Sequence, residues 1–418
     1  MKTDFLIVGG GIAGASAGYF LAASGSVTLL EMEAVPGYHS TSRSAALFSE
    51  YYGNRVVRAL TAASRRFYTQ PPPGFARPLV TPRGVLALCP HGAEEHFAQA
   101  FSAGLTAPVP VREVGSGEAL RFCPALRPGW FSRAMLKPAA MDIDVDAVHQ
   151  GFLRGIRARG GLVLRSARLR SLARRGQDWH APTGSGEISA RIVINASGAW
   201  ADEVAVLARA RPAGLTPLRR TAFLVAAPPT SSAEGWPMVA DVTDTFYFKP
   251  ESGGLLVSPA DATPVPPGDA RPADIEVARG IDRVQAATTL TIRHVRRAWA
   301  GLRTAAADDT PVIGEAPDAP GFFWHAGLSG YGIQTAPAAG QLIAALAAGG
   351  PFPVVLPDDF DLADITPDRL FENRQLPQRP AARKSSSARP GTATAEQTAN
   401  PAVPFRQEST LAGTDGPT

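Results

Sequence analysis

The chain has 418 residues, of which 45% are hydrophobic and 19% charged, with a net charge of +4. This composition is typical of a soluble protein with a large core, and no apolar run reaches the roughly 18 residues of a membrane span. Cys89 and Cys123 are the two cysteines, which excludes a disulfide framework and favours a reducing compartment. We therefore expect a cytoplasmic protein; peripheral attachment at the inner face of a membrane stays open.

The first residues predict a nucleotide-binding turn. DFLIV is a buried strand pattern, and Gly9, Gly11 and Gly14 follow it with the spacing G-x-G-x-x-G. A helix pattern of small residues comes next, then the strand pattern VTLL and Glu31. Gly9 permits a tight turn, Gly11 lets the backbone approach a pyrophosphate, and Gly14 lets helix and strand pack closely. The helix N-terminus favours phosphates, and Glu31 can accept hydrogen bonds from a ribose diol, so we predict dinucleotide binding.

Two further segments favour FAD over NAD. After Glu31 the chain does not continue with another strand and helix; it turns into STSRSAA, 40–46, whose hydroxyls and Arg43 suit a pyrophosphate or a flavin. Much later, HAGLSGYGIQTAPAAGQLIAALAAG, 325–349, is a glycine turn that opens an apolar helix. Its N-terminus can face another polar part of the same cofactor. A site divided between distant segments fits an extended FAD.

The rest of the chain alternates helix and strand patterns and ends in a polar tail. DIDVDAVHQGFLRGIRARGG predicts a helix opened by aspartates and closed by Gly160 and Gly161. LVLRS, RIVINASG, AFLVAAPP, FYFKP, GLLVSP and TLTIRHVRRAW predict strands. Residues 372–418 are rich in Pro, Ser, Thr, Ala and Gln. Such a segment buries too little apolar surface to order itself, so we predict that it is disordered.

The motifs together resemble one family. GGGIAG with LLE, STSRSAA, VINASGAW, TPVIGE and GLSGYGIQTAPAAGQL resemble, in this order, the D-amino-acid oxidase family of flavoenzymes. Within that family the chain is most similar to the bacterial FAD-dependent D-arginine dehydrogenases. The resemblance implies an α/β fold with a Rossmann-like FAD-binding domain, 1–80, 142–212 and 304–371. A substrate domain, 81–141 and 213–303, would be inserted in it on a mixed, largely antiparallel sheet.

The resemblance also implies how the cofactor is held. FAD would be bound without a covalent link, because neither cysteine lies near the last glycine motif, where family members with covalent flavin carry one. The expected cofactor residues are Gly9, Gly11, Ala13, Gly14, Glu31, Met32, Ser40, Thr41, Ser42, Arg43, Ser44, Ala45, Ala46, Leu169, Ala196, Gly198, Gly330, Tyr331, Gly332, Ile333 and Gln334.

Five residues match the substrate site of the family. Arg303 corresponds to the arginine that holds the α-carboxylate, and Arg220 to a second arginine facing the ligand. Tyr52 and Tyr247 correspond to tyrosines that close over the substrate, and the Gly330 backbone to a contact with the amine. A guanidinium is a suitable anchor because it meets a carboxylate with two charge-assisted hydrogen bonds. Residues 45–53 are expected to form a loop over this site, with Gly53 as a hinge candidate.

Two positions depart from the D-arginine dehydrogenase pattern. Leu47 replaces a histidine, and residues 84–88 read GVLAL, without the acid that pairs with a substrate guanidinium. Burying an unpaired guanidinium costs roughly 3–5 kcal/mol. We therefore expect that D-arginine is not the best substrate and that Leu47, Val85 and Leu86 favour apolar or mid-sized side chains. In the alternative, Glu50 supplies the missing charge.

The predicted function is oxidative deamination of D-amino acids to imino or 2-oxo acids by hydride transfer from the α-carbon to FAD. One alternative is oxidation of glycine, sarcosine or another secondary amine. Another is a flavoprotein assembly factor without turnover. The partners are a small-molecule amino acid and an electron acceptor (a quinone, a respiratory-chain component or oxygen). We expect no nucleic acid, since no basic stripe is interleaved with aromatics, and no metal site.

Overall fold

Two large β-sheets organise the part of the chain that the structure describes. The computed structural model describes residues 1–184, 186–228, 233–352 and 355–371, which all belong to one unit, Met1–Arg379. The predicted disordered tail, 372–418, lies outside the described residues. Within the described ranges, no helix has both the length and the apolar character needed to cross a membrane.

The strands and helices are numbered in chain order. The strands are β1 Lys2–Val8, β2 Val27–Leu30, β3 Leu47–Phe48, β4 Val80–Pro82, β5 Val85–Pro90, β6 Arg112–Val114, β7 Phe131–Lys137, β8 Met141–Ile143, β9 Leu162–Leu164, β10 Ala173–Arg175, β11 Asp178–Thr183, β12 Gly186–Asn195, β13 Thr216–Ala226, β14 Met238–Asp241, β15 Tyr247–Glu251, β16 Gly254–Ser258, β17 Thr263–Pro264, β18 Val295–Ala305, β19 Val312–Glu315 and β20 Phe322–Ala326. The helices are α1 Ile12–Leu21, α2 Arg55–Thr69, α3 Glu94–Leu105, α4 Ser116–Phe122, α5 Val145–Ala158, α6 Ala201–Leu207, α7 Asp274–Ala287, α8 Gly332–Ala348 and α9 Asp368–Phe371.

The first sheet has a parallel centre. β1 lies between β2 and β12, β9 pairs with β2, and β20 pairs with β12, all in parallel. β10 and β11 extend the sheet beyond β12, and β19 pairs with β20, all antiparallel. In register, Val8 lies opposite Leu30 and Asn195, so the carboxyl ends of these strands share one edge. Ligands of open α/β sheets bind at such an edge.

Glycines allow α1 to approach this edge. Gly9 has a φ of +106°, and a Cβ placed there would lie 2.4 Å from the Ala196 carbonyl oxygen. A Cβ at Gly14 would lie 1.9 Å from the Gly9 carbonyl oxygen. The tight turn and the close packing expected of these two glycines are confirmed. The same argument applies to α8, since a Cβ at Gly340 would lie 2.8 Å from the Ser16 Cβ on α1.

Helices α1, α2, α5 and α8 pack on one face of the first sheet. Their core contains the aromatic rings of Tyr19, Phe67, Phe75 and Phe152. As predicted, α5 begins after an aspartate: Asp144 accepts a hydrogen bond from the Ala147 backbone at 2.9 Å. Because this face is filled, the cofactor edge of the sheet is held on a rigid base.

The second sheet is mixed and largely antiparallel, as predicted. Its order is β17, β13, β16, β15, β14, β5, β7, β6, and β18 pairs with β13. β14 and β5 are parallel neighbours, and the other contacts are antiparallel. The small third sheet joins β3, β8 and β4.

Segment 40–43 joins the two large sheets. Ser40 Oγ donates to the Leu302 carbonyl at 2.7 Å, and Arg43 Nη1 donates to the Ala300 carbonyl at 2.9 Å. The Trp299 indole donates back to the Arg43 carbonyl at 3.1 Å. Leu302, Ala300 and Trp299 all belong to β18, so this strand lies against the segment that follows the nucleotide-binding turn.

One predicted strand forms only in part. The pattern TLTIRHVRRAW predicts a strand from residue 289, but β18 begins at Val295. The preceding residues bind elsewhere: the Thr289 backbone donates to the Ala125 carbonyl at 2.8 Å. The Ile292 backbone donates to the Gln285 side chain, also at 2.8 Å. Partners distant in sequence thus replace ladder bonds that the local pattern favours.

We predict that Gly14→Ala destabilises the fold by about 3 kcal/mol or more, because the added methyl group forces α1 away from β1. Urea unfolding of the apoprotein measures this. Gly117→Ala is the matched control, since Gly117 lies on the exposed surface of α4 with no atom within 4 Å of an added Cβ. Equal stability of the two variants would contradict the prediction.

Candidate active site

One elongated cavity of about 550 Å³ runs from the nucleotide-binding turn to the second sheet. Its lining comes from both large sheets and from the loops between them. Many predicted cofactor residues line it: Gly9, Gly11, Ala13, Glu31, Met32, Ser40, Thr41, Arg43, Ser44, Ala45, Leu169, Ala196, Gly198, Gly330, Gly332 and Ile333. The predicted substrate residues Arg220, Tyr247 and Arg303 line it as well.

The nucleotide end is organised by backbone N–H groups. Glu31 accepts hydrogen bonds from the Gly10 backbone at 2.9 Å and from the Glu33 backbone at 2.8 Å. Burial raises the pKa of Glu31, and these two backbone bonds oppose the rise. Thr41 Oγ1 accepts from the Ile12 backbone at 3.0 Å. The cavity therefore meets the first turn of α1, where N–H groups without intrahelical partners favour phosphate.

Five predicted cofactor residues do not line the cavity. Gly14 packs α1 against the turn. Ser42 Oγ donates to the Gly37 carbonyl at 3.0 Å, and the Ala46 carbonyl accepts from Ile143 at 3.4 Å. Tyr331 turns its hydroxyl to Asp309 at 2.8 Å. Gln334 bonds to the Ser49 backbone at 3.3 Å and to Thr61 at 2.9 Å. These five residues therefore make contacts within the protein and lie outside the cavity lining.

Arg43 lines the cavity, but its guanidinium is already engaged. Nη2 pairs with Asp269 at 2.6 Å, and Nη1 donates to the Ala270 and Ala300 carbonyls at 3.0 and 2.9 Å. The hydrogen bond from Arg43 lowers the pKa of Asp269. Arg43 thus ties the segment before α7 to the cavity rim, which the sequence did not predict.

Arg220 and Arg303 lie on one face of adjacent strands. β13 and β18 pair so that Arg220 is opposite Gly301 and Leu218 is opposite Arg303. Alternation along the strands therefore puts both arginines on the same side of the sheet. Gly330 lies against the Arg303 guanidinium, since a Cβ there would be 2.9 Å from Nη1.

Neither guanidinium has a full partner within the described ranges. Arg303 makes no side-chain hydrogen bond or ion pair there, and Arg220 Nε and Nη1 are buried without an acceptor. The nearest carboxylate to Arg220 is that of Asp244 at 3.8 Å, on a side chain that is 59% exposed. Burial works against the charge of Arg303, but Tyr52, Tyr247 and Asp244 raise its pKa above the usual value. Such a pair can receive a carboxylate at little reorganisation cost.

Tyr247 and Tyr52 differ in their position relative to the two arginines. Tyr247 is buried and lines the cavity. Tyr52 does not line it; the residue is 37% exposed, and its ring makes an edge contact with Tyr331, with ring centres 5.0 Å apart. Tyr52 thus lies between solvent and the arginine end, where it influences the Arg303 charge.

The loop that precedes Tyr52 is fixed at several points. Glu50 is buried and bound by Arg65 through both carboxylate oxygens, with Nε at 2.8 Å from Oε1. Tyr51 donates to the Val109 carbonyl at 2.5 Å, and Ser49 bonds to Gln334. Because Arg65 already neutralises Glu50, the alternative in which Glu50 receives a substrate guanidinium is not supported.

The three residues expected to form an apolar substrate pocket do not lie together in the cavity. Leu86 belongs to the core on the far side of the second sheet, and Leu47 pairs with Asp142 in the third sheet. Val85 faces the cavity side, but its neighbour in register is Lys137. Neither Leu47, Val85 nor Leu86 lines the described cavity. Alternation of strand side chains explains the opposite directions of Val85 and Leu86.

Sequence analysis did not identify His325 and Lys137 as candidate site residues. His325 lines the cavity, and burial lowers its pKa to about 4, so the imidazole is neutral. Neither ring nitrogen finds a partner in the described part of the chain. A polar residue inside an apolar strand pattern, FFWHA for His325 and RAMLK for Lys137, is the signal that could have singled out both.

These features fit a bound dinucleotide. A neutral, buried imidazole without a partner is costly unless a ligand supplies one, and His325 opens onto the cavity that the glycine turn and Glu31 begin. Gly9, Gly11, Ala13 and Glu31 would hold the nucleotide half, while Gly330, Gly332 and Ile333 lie toward the other half. Cys89 and Cys123 are buried in the cores beside the second sheet, away from the cavity lining.

Comparisons with known proteins agree with this geometry. The family model "FAD dependent oxidoreductase" (DAO) matches residues 4–346. The chain is 29% identical over 189 residues to bovine (Bos taurus) "FAD-dependent oxidoreductase domain-containing protein 1", covering 40% of this chain and 38% of that one. It is 24% identical to glycine oxidase from Geobacillus kaustophilus, over 82% of this chain and 93% of that one.

Solved structures show the same fold. The crystal structure of L-proline dehydrogenase from P. horikoshii superposes with a TM-score of 0.74 at 22% identity, covering 88% of this chain and 98% of that one. Glycine oxidase from Geobacillus kaustophilus also superposes with a TM-score of 0.74, at 21% identity, covering 87% and 98%. The family match spans most of the chain, and the cavity has the features that FAD requires. The chain therefore belongs to the DAO family of FAD-dependent oxidoreductases.

Proposed function

We propose that this protein oxidises the carbon–nitrogen bond of an α-amino acid, with D-amino acids as its substrates. The observation that carries the proposal is the Arg303 guanidinium, which borders the cavity without a hydrogen-bond partner in the described residues, against the Gly330 backbone. Glycine oxidase and L-proline dehydrogenase, which share the fold, are named for amino-acid substrates. The D configuration rests on the resemblance of the sequence motifs to D-arginine dehydrogenases.

In this proposal the chain binds, orients and shields the substrate. Arg303 grips the α-carboxylate, and Arg220 turns its free Nε and Nη1 donors toward the same group. The Gly330 carbonyl accepts a hydrogen bond from the amine, which fixes the direction of the α-hydrogen. Tyr247 and Tyr52 keep water from the reacting carbon. Bound FAD supplies the two-electron acceptor chemistry, and positioning at reactive distance is the main task left to the protein.

Two parts of the proposal concern the rest of the molecule. The FAD-binding domain would comprise 1–80, 142–212 and 304–371, and the substrate domain 81–141 and 213–303. Electrons would leave to an acceptor that the site residues do not identify. Oxidation of glycine, sarcosine or another secondary amine is the second candidate, and its glycine branch is favoured by the similarity to glycine oxidase over 82% of the chain.

We expect Arg303→Ala to lower kcat/KM for the best amino acid by about 10² to 10³, because a buried carboxylate loses its paired charge. The FAD content, measured by absorbance, stays at the wild-type level. Arg296→Ala is the control, since Arg296 is an exposed residue of the same strand. Unchanged turnover in Arg303→Ala would exclude the proposed anchoring.

We expect Glu31→Gln to weaken FAD binding about tenfold to a hundredfold, because hydrogen bonds from a ribose diol to a carboxylate are stronger than those to a neutral amide. Fluorescence titration of the apoprotein with FAD measures the dissociation constant. Glu118→Gln, which removes a half-buried carboxylate that is paired with Arg112 and is not among the cavity lining, serves as the control. Equal affinities in the two variants would show that Glu31 does not contact the cofactor.

A further inference from the structure

The arginine end of the cavity and the sheet face beside it carry three cations without close partners among the described residues. Arg220 and Arg303 lack full partners among the described residues, as shown above. Lys137, at the end of β7, is not among the lining residues, but its ammonium group makes no ion pair or hydrogen bond with any residue in the described ranges, although it is partly buried. Asp244 is the carboxylate whose charge reaches all three, and its side chain is 59% exposed. Three cations therefore face one solvated anion.

Strand register shows that Lys137 faces the cavity side of the second sheet. Lys137 lies opposite Val85, Val85 opposite Met238, and Ala240, two residues after Met238, opposite Tyr247. Residues in register, and residues two apart, share one face of a sheet. Since Tyr247 lines the cavity, Lys137 belongs to the same face. Asp244, which lies beside Arg220, also acts electrostatically on Lys137.

Neighbouring charges do not neutralise Lys137. Lys249 lies on the same face, but it pairs with Asp142 at 2.7 Å and with Glu251 at 3.2 Å. Glu50 is bound by Arg65. Burial lowers the pKa of Lys137, so its protonated form is destabilised unless an anion approaches, and the Asp244 carboxylate opposes this effect in part.

We propose that the substrate carries a second carboxylate, received by Lys137, so that the preferred substrates are acidic amino acids or amines with two carboxylates. This inference rests on the proposed function. The α-carboxylate and Asp244 balance two of the three cations, and a second carboxylate on the substrate balances the third. The charge of the pocket is thus the reverse of that needed for a substrate guanidinium. Lys137 acts as a specificity-determining residue and takes no part in bond breaking.

The test compares acids with their amides of equal shape. The holoenzyme is mixed anaerobically with D-glutamate, D-glutamine, D-aspartate, D-asparagine, their L enantiomers, glycine and iminodiacetate. Loss of flavin absorbance gives the rate of reduction and the apparent Kd of each compound. We expect each reactive acid to have an apparent Kd at least about tenfold below that of its amide, as a desolvated charge pair requires.

The variant Lys137→Gln then tests whether the charge of Lys137, rather than the shape of the pocket, determines the preference for acids. We expect it to raise the apparent Kd of the acids about tenfold or more and to leave that of the amides within about twofold. Lys2→Gln is the matched control, because it removes the same charge from a side chain that is 73% exposed. Glutarate and butyrate, which cannot be oxidised at an amine, are titrated by the shift in the flavin spectrum. The dicarboxylate is expected to bind more tightly, with the advantage lost in Lys137→Gln.

The outcomes distinguish the two proposals. Flavin reduction by glycine or by the amides as readily as by the acids, with no effect of Lys137→Gln, would overturn the dicarboxylate inference and leave the amino-acid oxidation intact. Tight binding of glutarate without reduction by any amine would overturn the amino-acid oxidation but support the charge of the pocket. Neither reduction nor a dicarboxylate preference would overturn both.

Discussion

The contact between segment 40–43 and β18 is the constraint on which the site depends. The glycine turn belongs to the first sheet and the arginine pair to the second, and they form one cavity because Ser40, Arg43 and Trp299 join their backbones. Each such bond contributes about 1 kcal/mol to stability. The set also fixes the register between cofactor edge and substrate wall, which burial of apolar surface alone does not specify.

Unpaired charge is the second organising feature. Most buried ionic groups in the described residues have partners: Glu50 has Arg65, Asp142 has Arg83 and Lys249, and Arg369 has Asp308. Arg220, Arg303 and the partly buried Lys137 differ from them: both arginines line the cavity, and Lys137 lies on the same face of the second sheet as Tyr247. Leaving these three cations without close partners costs folding stability, and a bound anion would offset that cost. The lost folding stability is therefore itself an indication that these three cations bind an anionic ligand.

Elements that depend on residues close together in the sequence could be predicted. Side-chain positions that depend on the register between distant strands could not. The glycine turn, α1, α5 and α8 followed from local spacing; Arg303 was singled out by the resemblance to the family, and its role stays a prediction. Lys137 was missed because its place beside Val85 and Met238 depends on pairing between strands that lie far apart along the chain. For the same reason Leu86 was assigned to the pocket, although alternation turns it into the opposite core. The strand predicted from residue 289 begins only at Val295 because the Thr289 and Ile292 backbones bind Ala125 and Gln285, contacts that no local pattern encodes.

The anchoring of residues 49–51 restricts which parts of the protein can move beside the arginine end of the cavity. Ser49 is held by Gln334, Glu50 by Arg65 and Tyr51 by Val109, so a swinging loop would have to break all three attachments. Tyr52 is the first residue beyond them whose side chain meets solvent, and its ring borders the arginine end. Rotation of this one aromatic side chain therefore needs no movement of the anchored backbone beside it, and exposed side chains rotate within picoseconds to nanoseconds.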